Sequence, residues 1–450
     1  MTGRPANPGV TALAEAARAI AAVVSGRSAD EALSPFDAGP RASAVRAIAL
    51  GTLRWYLRML PAINLLLSSP QTLAREIHAL LVAAAYQIEY SRNAAPLVVD
   101  MAVDAARVIG QPRASGLVNA VLRRFVRERQ ALLTGVDADL AVRTAHPTWL
   151  IDALAAAWPE HYEQILEANN GHPPMVLRLN TRHRSPADYL GDLAAAGLAG
   201  RLLEWTAEHS GTSAVVLERP ASVGSLPGFK EGWVSVQDAG AQLAPTLLQA
   251  APGMRVLDAC AAPGSKASHL LESTGGALDL TAVDIDAGRL GRVAENLRRL
   301  GLAARLVAAD VREPWSFWDG RYYDRILVDA PCSGTGVVRR HPDIKLLRRP
   351  GDIPAFGRAQ LEILTAAFGM LAPGGRLVYS TCSVLPAENE AVVAELLQAQ
   401  PQARPGAMPE GEALAPGGFA RAIGTQLLCG GAAGTDGFYY ACVEKTTGGT

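Results

Sequence analysis

At 450 residues with 49% apolar side chains, the chain can bury more than one core, and its formal net charge of −1 identifies no class of partner. No apolar run reaches the length of a membrane span without charges, and MTGRPANPGV lacks the basic start and apolar stretch of a secretory signal, so a cytoplasmic protein without membrane attachment is expected. Five widely spaced cysteines, with no C-x-x-C and no H-x-x-x-H, argue against a disulfide framework and against a metal site.

Residues 1–140 read as an all-α domain of five or more helices. Ala, Leu and Val recur at three- and four-residue spacing in ALAEAARAIAAVV, AVRAIALGTLRWYLRML and EIHALLVAAAYQIEY, separated by short Pro/Gly/Ser breaks. The last helices carry Arg113, Arg123, Arg124, Arg127 and Arg129, with Glu128 among them. Arg123 and Arg127 lie four apart and share a helical face. A solvated face explains them, and so does a face that contacts the phosphates of a nucleic acid.

Residues 141–235 read as a small α+β module. MVLRLN (175–180) has the pattern of a strand, SPADYLGDLAAAG (185–197) that of a capped helix, and VVLERP and GWVSVQD are strand-like.

Residues 236–450 alternate strand and helix, the signature of a doubly wound α/β sheet. Strand candidates are MRVLDA, LTAVDID, ARLVAAD, DRILVDAP and GRLVYSTCS, with helical stretches such as AGRLGRVAENLRRLG between them. TQLLC and FYYACVE, joined by a Gly-rich turn with Asp436-Gly437, suggest an antiparallel hairpin closing one edge.

Ligands of such sheets bind beyond the carboxyl ends of the strands. Four strands end at or near acids: Asp258, Asp284, Asp310 and Asp329. The first is followed by Cys260-Ala261-Ala262-Pro263-Gly264-Ser265-Lys266, a small-residue loop that lets a ligand approach the backbone. Asp284 follows at the end of the second strand, where a carboxylate can take ribose hydroxyls. G-x-G-x-x-G is absent, which counts against a dinucleotide-linked oxidoreductase. S-adenosylmethionine has no phosphate and carries a cationic sulfonium, and a site ringed by acids suits it.

Two further strands lead to cysteines, in Asp329-Ala330-Pro331-Cys332-Ser333 and Ser380-Thr381-Cys382-Ser383. If those strands are adjacent, both thiols face one cleft. Cys429 and Cys442 read as small core hydrophobes and Cys260 as a small loop residue. Among 42 basic residues the lysines are Lys230, Lys266, Lys345 and Lys445, so Lys266 and Lys345 stand out within their motifs.

DACAAPGSK, VDID, DAPCSGTGVVRRHPDIK and LVYSTCSVLPAENE resemble the motifs of the Sun/Nop2 family of RNA cytosine-5 methyltransferases. RAIALGTLRWY and GLVNAVLRRF are similar to segments of a NusB-type helical RNA-binding domain. The fusion resembles members of that family that act on bacterial 16S rRNA. The resemblance implies a Rossmann-like, seven-stranded methyltransferase domain and S-adenosylmethionine held by residues 260–266 with Asp284, Asp310 and Asp329. It implies 16S rRNA or a small-subunit assembly particle as partner, and a monomer is expected.

The resemblance also implies roles. Carbon 5 of a pyrimidine is a poor nucleophile until a thiolate adds to carbon 6, and a site must favour that thiolate. Cys382 would attack, and Cys332 would assist release. Asp329 and Lys266 would stabilise charge on the ring. Apart from the resemblance, a basic loop beside a thiol suits phosphate contacts, and Arg339, Arg340 and Lys345, in the loop after Cys332, are the candidates. Arg178 and Asn180, which alternate along one strand, could touch RNA as well. The family loop reads GGKT where this chain has Gly264-Ser265-Lys266-Ala267, a change that bears on cofactor affinity. The same chemistry on another RNA such as tRNA, and a non-catalytic RNA-binding or assembly factor, are the alternatives.

Overall fold

The computed structural model describes residues 7–203, 205, 213–431 and 434–447. They form two compact units, one of residues 1–172 with 338–350, the other of residues 173–337 with 351–450.

The first unit is helical. Its helices are α1 (Pro8–Val24), α2 (Ala29–Leu33), α3 (Ala42–Asn64), α4 (Arg75–Tyr90), α5 (Ala95–Val108), α6 (Ser115–Val136), α7 (Leu140–Arg143), α8 (Thr148–Ala157) and α9 (Tyr162–Asn170). Alanine explains how they pack. Ala14, Ala16 and Ala17 of α1 and Ala83, Ala84 and Ala85 of α4 are wholly buried, and so short a side chain lets helix backbones approach closely while costing no rotamer entropy. Caps fix the helix starts. The Asn7 side chain accepts from the Gly9 amide at 3.0 Å, and Ser28 with Glu31 closes a capping box before α2. The helical unit thus continues past residue 140 to take in α7, α8 and α9.

It also takes in a segment from far along the chain. Residues 338–350 carry a short helix, Ile344–Leu347, whose Leu346 and Leu347 pack on the helical core. The Asp343 carboxylate accepts the Ala29 amide at 3.0 Å, at the start of α2. Lys345, 2% exposed, donates to the Arg54 carbonyl at 2.7 Å and to the Asn170 side chain at 2.6 Å. Arg54 in turn donates to the Arg339 carbonyl at 2.7 Å.

The second unit holds two sheets. β1 (Met175–Leu179), β2 (Gly200–Leu203), β3 (Ser213–Leu217) and β4 (Val234–Val236) form an antiparallel sheet in the order β2-β3-β1-β4. Helix α10 (Pro186–Ala195) packs on it, its N-cap Ser185 accepting from the Asp188 amide at 3.2 Å.

The larger sheet contains β5 (Arg255–Asp258), β6 (Asp279–Asp284), β7 (Arg305–Ala308), β8 (Tyr323–Asp329), β9 (Leu371–Thr381), β10 (Ala403–Pro405), β11 (Gly418–Ala420), β12 (Thr425–Leu427) and β13 (Phe438–Lys445). Its order is β11-β12-β13-β9-β8-β5-β6-β7, with β10 beside β13. The run β9-β8-β5-β6-β7 is parallel, and β13 joins β9 antiparallel. Seven strands thus make up the expected core, and the three-residue strands β10 and β11 add to it. The hairpin β12–β13 does not close the edge, because β11 pairs beyond it. β5 is buried along its whole length, as a strand covered by helices on both faces must be.

Candidate active site

The order of strands reverses at β5, whose neighbours are β8 on one side and β6 on the other. A crevice opens at such a switch point, beyond the carboxyl ends of the strands. Here it is a cleft of about 360 Å³. Its lining includes Cys260, Ala262, Asp284, Asp310, Asp329, Cys332 and Cys382, together with apolar Ile285, Val311, Pro331 and Ile363.

The floor is set by the loop after β5. Gly264 opens the helix Ser265–Ser273 at φ +94°, a conformation that favours glycine, and a Cβ there would crowd Val293 at 3.0–3.1 Å. Within the loop, Cys260 and Ala262 reach the cleft, whereas Ala261 and 263–266 do not line it. Ser265 therefore adds no side chain to the cleft wall, and Ala267 packs in the apolar core. Asp284, buried at the end of β6, accepts from the Ala262 amide and the Asp286 amide, each at 3.1 Å.

The cleft carries both signs of charge. Arg289 lies 3.7 Å from Asp284, and Arg312 binds Asp310 at 2.6 Å. The hydrogen bond to Arg312 holds the Asp310 carboxyl below its ordinary range. Lys266, buried, donates to Asp329 Oδ2 at 2.6 Å, while Ser380 Oγ donates to Asp329 Oδ1 at 2.9 Å. Burial works against the charge of Lys266, but the Asp329 charge and hydrogen bond outweigh it and hold its pKa above the ordinary lysine value. Asp258, one strand end further in, is buried, and the Cys260 amide beside it only partly favours its charge. Burial, with the Asp329 and Asp284 charges, pushes its pKa up to about 7.

The two cysteines meet because β8 and β9 are parallel neighbours, with Asp329 opposite Ser380. The chains leaving those ends place Cys332 Sγ and Cys382 Sγ 3.3 Å apart, both thiols free and partly exposed. The hydrogen bond to Cys382 and burial, with the Cys382 and Glu388 charges, hold the Cys332 thiol well above the usual cysteine range. Burial likewise pushes the Cys260 thiol up, so it stays neutral in the wall.

Sequence reasoning missed the group behind this pair. Glu388 is wholly buried and accepts from the Ser333 amide at 2.7 Å, from Ser333 Oγ at 2.6 Å and from Ser383 Oγ at 2.7 Å. Gln360 Nε2 donates to it at 3.3 Å and to the Pro331 carbonyl at 3.0 Å. A glutamate six residues after Cys382, in a stretch that is otherwise apolar or small, was the available signal.

Four residues expected at an RNA surface are turned inward instead. Arg178 and Asn180 are both buried, because β1 is covered on both faces. Arg178, 1% exposed, donates to Glu272 at 2.9 Å, to the Gln237 side chain, to the Ser265 carbonyl at 2.9 Å and to Ser268 Oγ at 3.2 Å. It fastens the small antiparallel sheet to the helix behind the cleft. Asn180 is buried, its side chain accepting from the Arg182 amide at 3.2 Å. Lys345 and Arg339 are buried within the helical unit, as described above. Arg340 is half-buried. Arg123, Arg124 and Arg127 stand exposed on α6, Arg124 and Arg127 sharing Glu128 at 2.9 Å each.

A doubly wound sheet with a cleft at its switch point is a ligand-binding α/β domain, and the family matched by residues 245–444 makes it a methyltransferase domain, here one part of a multidomain chain. Residues 245–444 match the family described as 16S rRNA methyltransferase RsmB/F, residues 146–224 its ferredoxin-like domain, and residues 11–127 the NusB family. The chain is 46% identical over 436 residues to ribosomal RNA small subunit methyltransferase B of Pseudomonas putida, spanning 96% of this chain and 97% of that one. It is 43% identical to the Vibrio cholerae protein of the same name, over 89% of each chain. The crystal structure of PH0851 has the same fold, with a TM-score of 0.80 at 21% identity, covering 98% of this chain and 100% of that one. The chain belongs to the 16S rRNA methyltransferase RsmB/F family.

Proposed function

We propose that this protein transfers a methyl group from S-adenosylmethionine to carbon 5 of a cytosine in 16S rRNA, through covalent attack by Cys382 on carbon 6. The observation that carries the reading is the pair of thiols 3.3 Å apart at the mouth of a cofactor-sized cleft. The relatives named for small-subunit rRNA support the choice of RNA.

The cleft fits the cofactor on chemical grounds. Its volume lies within the roughly 300–1,000 Å³ of small-molecule sites. Asp284 stands where ribose hydroxyls would bind, and Ile285, Val311 and Ile363 offer apolar contact to a flat base. A ligand with a sulfonium, an amino group and a carboxylate meets both signs of charge among Asp329, Asp310, Asp284, Arg289 and Arg312. When bound, S-adenosylmethionine supplies the electrophilic methyl group that carbon 5 takes up.

The chain's own residues do the rest. Cys382 Sγ bonds to carbon 6 of the ring, which makes carbon 5 enamine-like. Lys266 and Ser380 hold Asp329 in one orientation, and this carboxyl stabilises the polar edge of the base. Once Cys382 is bonded to carbon, it no longer shares a hydrogen bond with Cys332, and the Cys332 thiol, its own proton released to solvent, is placed to take up the carbon 5 proton. Loss of the carbon 5 proton restores the ring double bond and expels the Cys382 thiolate. A ring inside a duplex is shielded, so the target base is unpaired or flipped out. The exposed arginines Arg123, Arg124 and Arg127 of α6 are the phosphate contacts retained in this reading.

Incubation with methyl-labelled cofactor and 16S RNA is expected to label cytosine carbon 5, and Cys382→Ala is expected to abolish transfer. Full activity in that variant would overturn the nucleophile assignment. Label on tRNA in place of 16S RNA would overturn the substrate.

A further inference from the structure

Glu388 is an ionisable side chain with no access to solvent, in contact with neither RNA nor cofactor in the reading above, on which this inference rests. Burying a carboxylate is costly unless donors surround it. This one has donors on both oxygens, and they come from two places. Ser333 directly follows Cys332, and it donates through its amide and its hydroxyl. Ser383 directly follows Cys382, and it donates through its hydroxyl. The arrangement is reinforced from both sides. Thr335 Oγ1 lies 3.0 Å from Ser383 Oγ and accepts from the Val384 amide at 3.1 Å. Asn389, next in the chain, accepts from Thr381 Oγ1 at 2.6 Å and donates to the Ser383 carbonyl at 3.0 Å.

We propose that Glu388 is a positioning residue that ties the two cysteine-bearing turns to each other and thereby fixes the Cys332–Cys382 approach. One carboxylate grips the residue after each thiol, so the turns cannot shift independently. Strand pairing and packing bring the two turns together, and short charge-assisted hydrogen bonds to one shared carboxylate fix their relative position more tightly. The same negative charge, close behind Cys332, also favours the neutral form of that thiol.

The test uses the full chain with Glu388→Gln, which keeps the shape and removes the charge, and Glu388→Asp, which keeps the charge on a shorter arm. Alkylation by iodoacetamide is followed against pH, Cys332 and Cys382 being resolved by peptide mass spectrometry. Single-turnover methyl transfer is measured in parallel. For Glu388→Gln the alkylation midpoint of Cys332 should fall by about one pH unit, as expected for loss of a like charge nearby. For both variants the transfer rate should fall about ten- to a hundredfold, with the KM for cofactor unchanged. A folded Glu388→Gln with a wild-type alkylation profile and wild-type rate overturns the proposal. If it does not fold, Ser333→Ala decides, since it removes one donor and leaves the carboxylate in place. A wild-type transfer rate in Ser333→Ala would likewise overturn the proposal, and slower transfer with the Cys332 alkylation midpoint not lowered supports it, since the charge stays while one grip on the turn is lost. The alkylation arm needs neither RNA nor cofactor, so it reports on Glu388 even if the cytosine assignment fails.

Discussion

Replacing Arg178 by Met separates its observed position from the RNA-contact role that its charge suggested. Methionine keeps most of the bulk but removes every hydrogen bond that the guanidinium makes to Glu272, Gln237, Ser265 and Ser268. Glu272 is then left buried without its cation. Burial already pushes its carboxyl up and Arg178 opposes that push, so without Arg178 Glu272 protonates more readily. Breaking such a pair from one side costs about 3–5 kcal/mol, most of it the stranded partner. At about 1.4 kcal/mol per factor of ten, amide protection in the helix Ser265–Ser273 should fall roughly a hundred- to a few-thousandfold. Hydrogen exchange with peptide mass spectrometry measures this, and Arg178→Met with Glu272→Leu should recover much of the loss. RNA affinity against salt supplies the contrast. A phosphate contact would lower the slope of log K against log salt by about 0.7–0.9 when removed. The expectation is an unchanged slope. Unchanged protection together with a lowered slope would refute the clasp.

Two further outcomes follow from the cleft. Cys332→Ala should still form the bond between Cys382 and the ring but release it slowly, so a protein–RNA adduct should accumulate on a denaturing gel; its absence would refute the release role. Asp258 has a folded pKa of about 7 against about 3.9 unfolded, so its contribution to stability is full below about pH 4 and is lost as pH rises through about 7. Asp258→Asn does not titrate, so its stability relative to the natural chain should rise between pH 5 and pH 8.5, by at most roughly 2.7 kcal/mol, two pH units at about 1.36 kcal/mol each. Urea midpoints at the two pH values check this, and a pH-independent difference would refute it.

Local order carried most of what the sequence made legible. β5, β6, β8 and β9 each announce themselves by an apolar run ending at an acid or a cysteine, and their common direction puts those ends together. Gly264 and Asp284 follow from the same logic. What stayed hidden depends on contacts distant in sequence. The alternation of Arg178 and Asn180 defines a shared face but not whether that face is covered, and the covering helix lies some ninety residues later. Lys345 looked like a phosphate ligand because its neighbours are arginines. Its actual acceptors, the Arg54 carbonyl and Asn170, come from α3 and α9. Glu388 is hidden for the opposite reason, since an acid just before a helix reads as solvent-facing, and only the apolar or small residues between it and Cys382 point inward.

The borrowed segment 338–350 has a consequence for how this gene can be cut. A domain made of one unbroken stretch can be deleted, exchanged or expressed alone with a single pair of boundaries. The helical unit here is discontinuous: residues 1–172 end without the segment that brings Asp343 to α2 and Lys345 to Arg54 and Asn170. That segment begins six residues after Cys332, within the catalytic half of the gene. A fragment stopping at residue 172 would expose the core that Leu346 and Leu347 cover. A fragment starting at residue 173 would carry a stranded lysine and aspartate on a loop with no partner. The two halves of this gene are therefore expected to be inherited and engineered together, and to complement one another as separate fragments only when 338–350 finds its place among the helices.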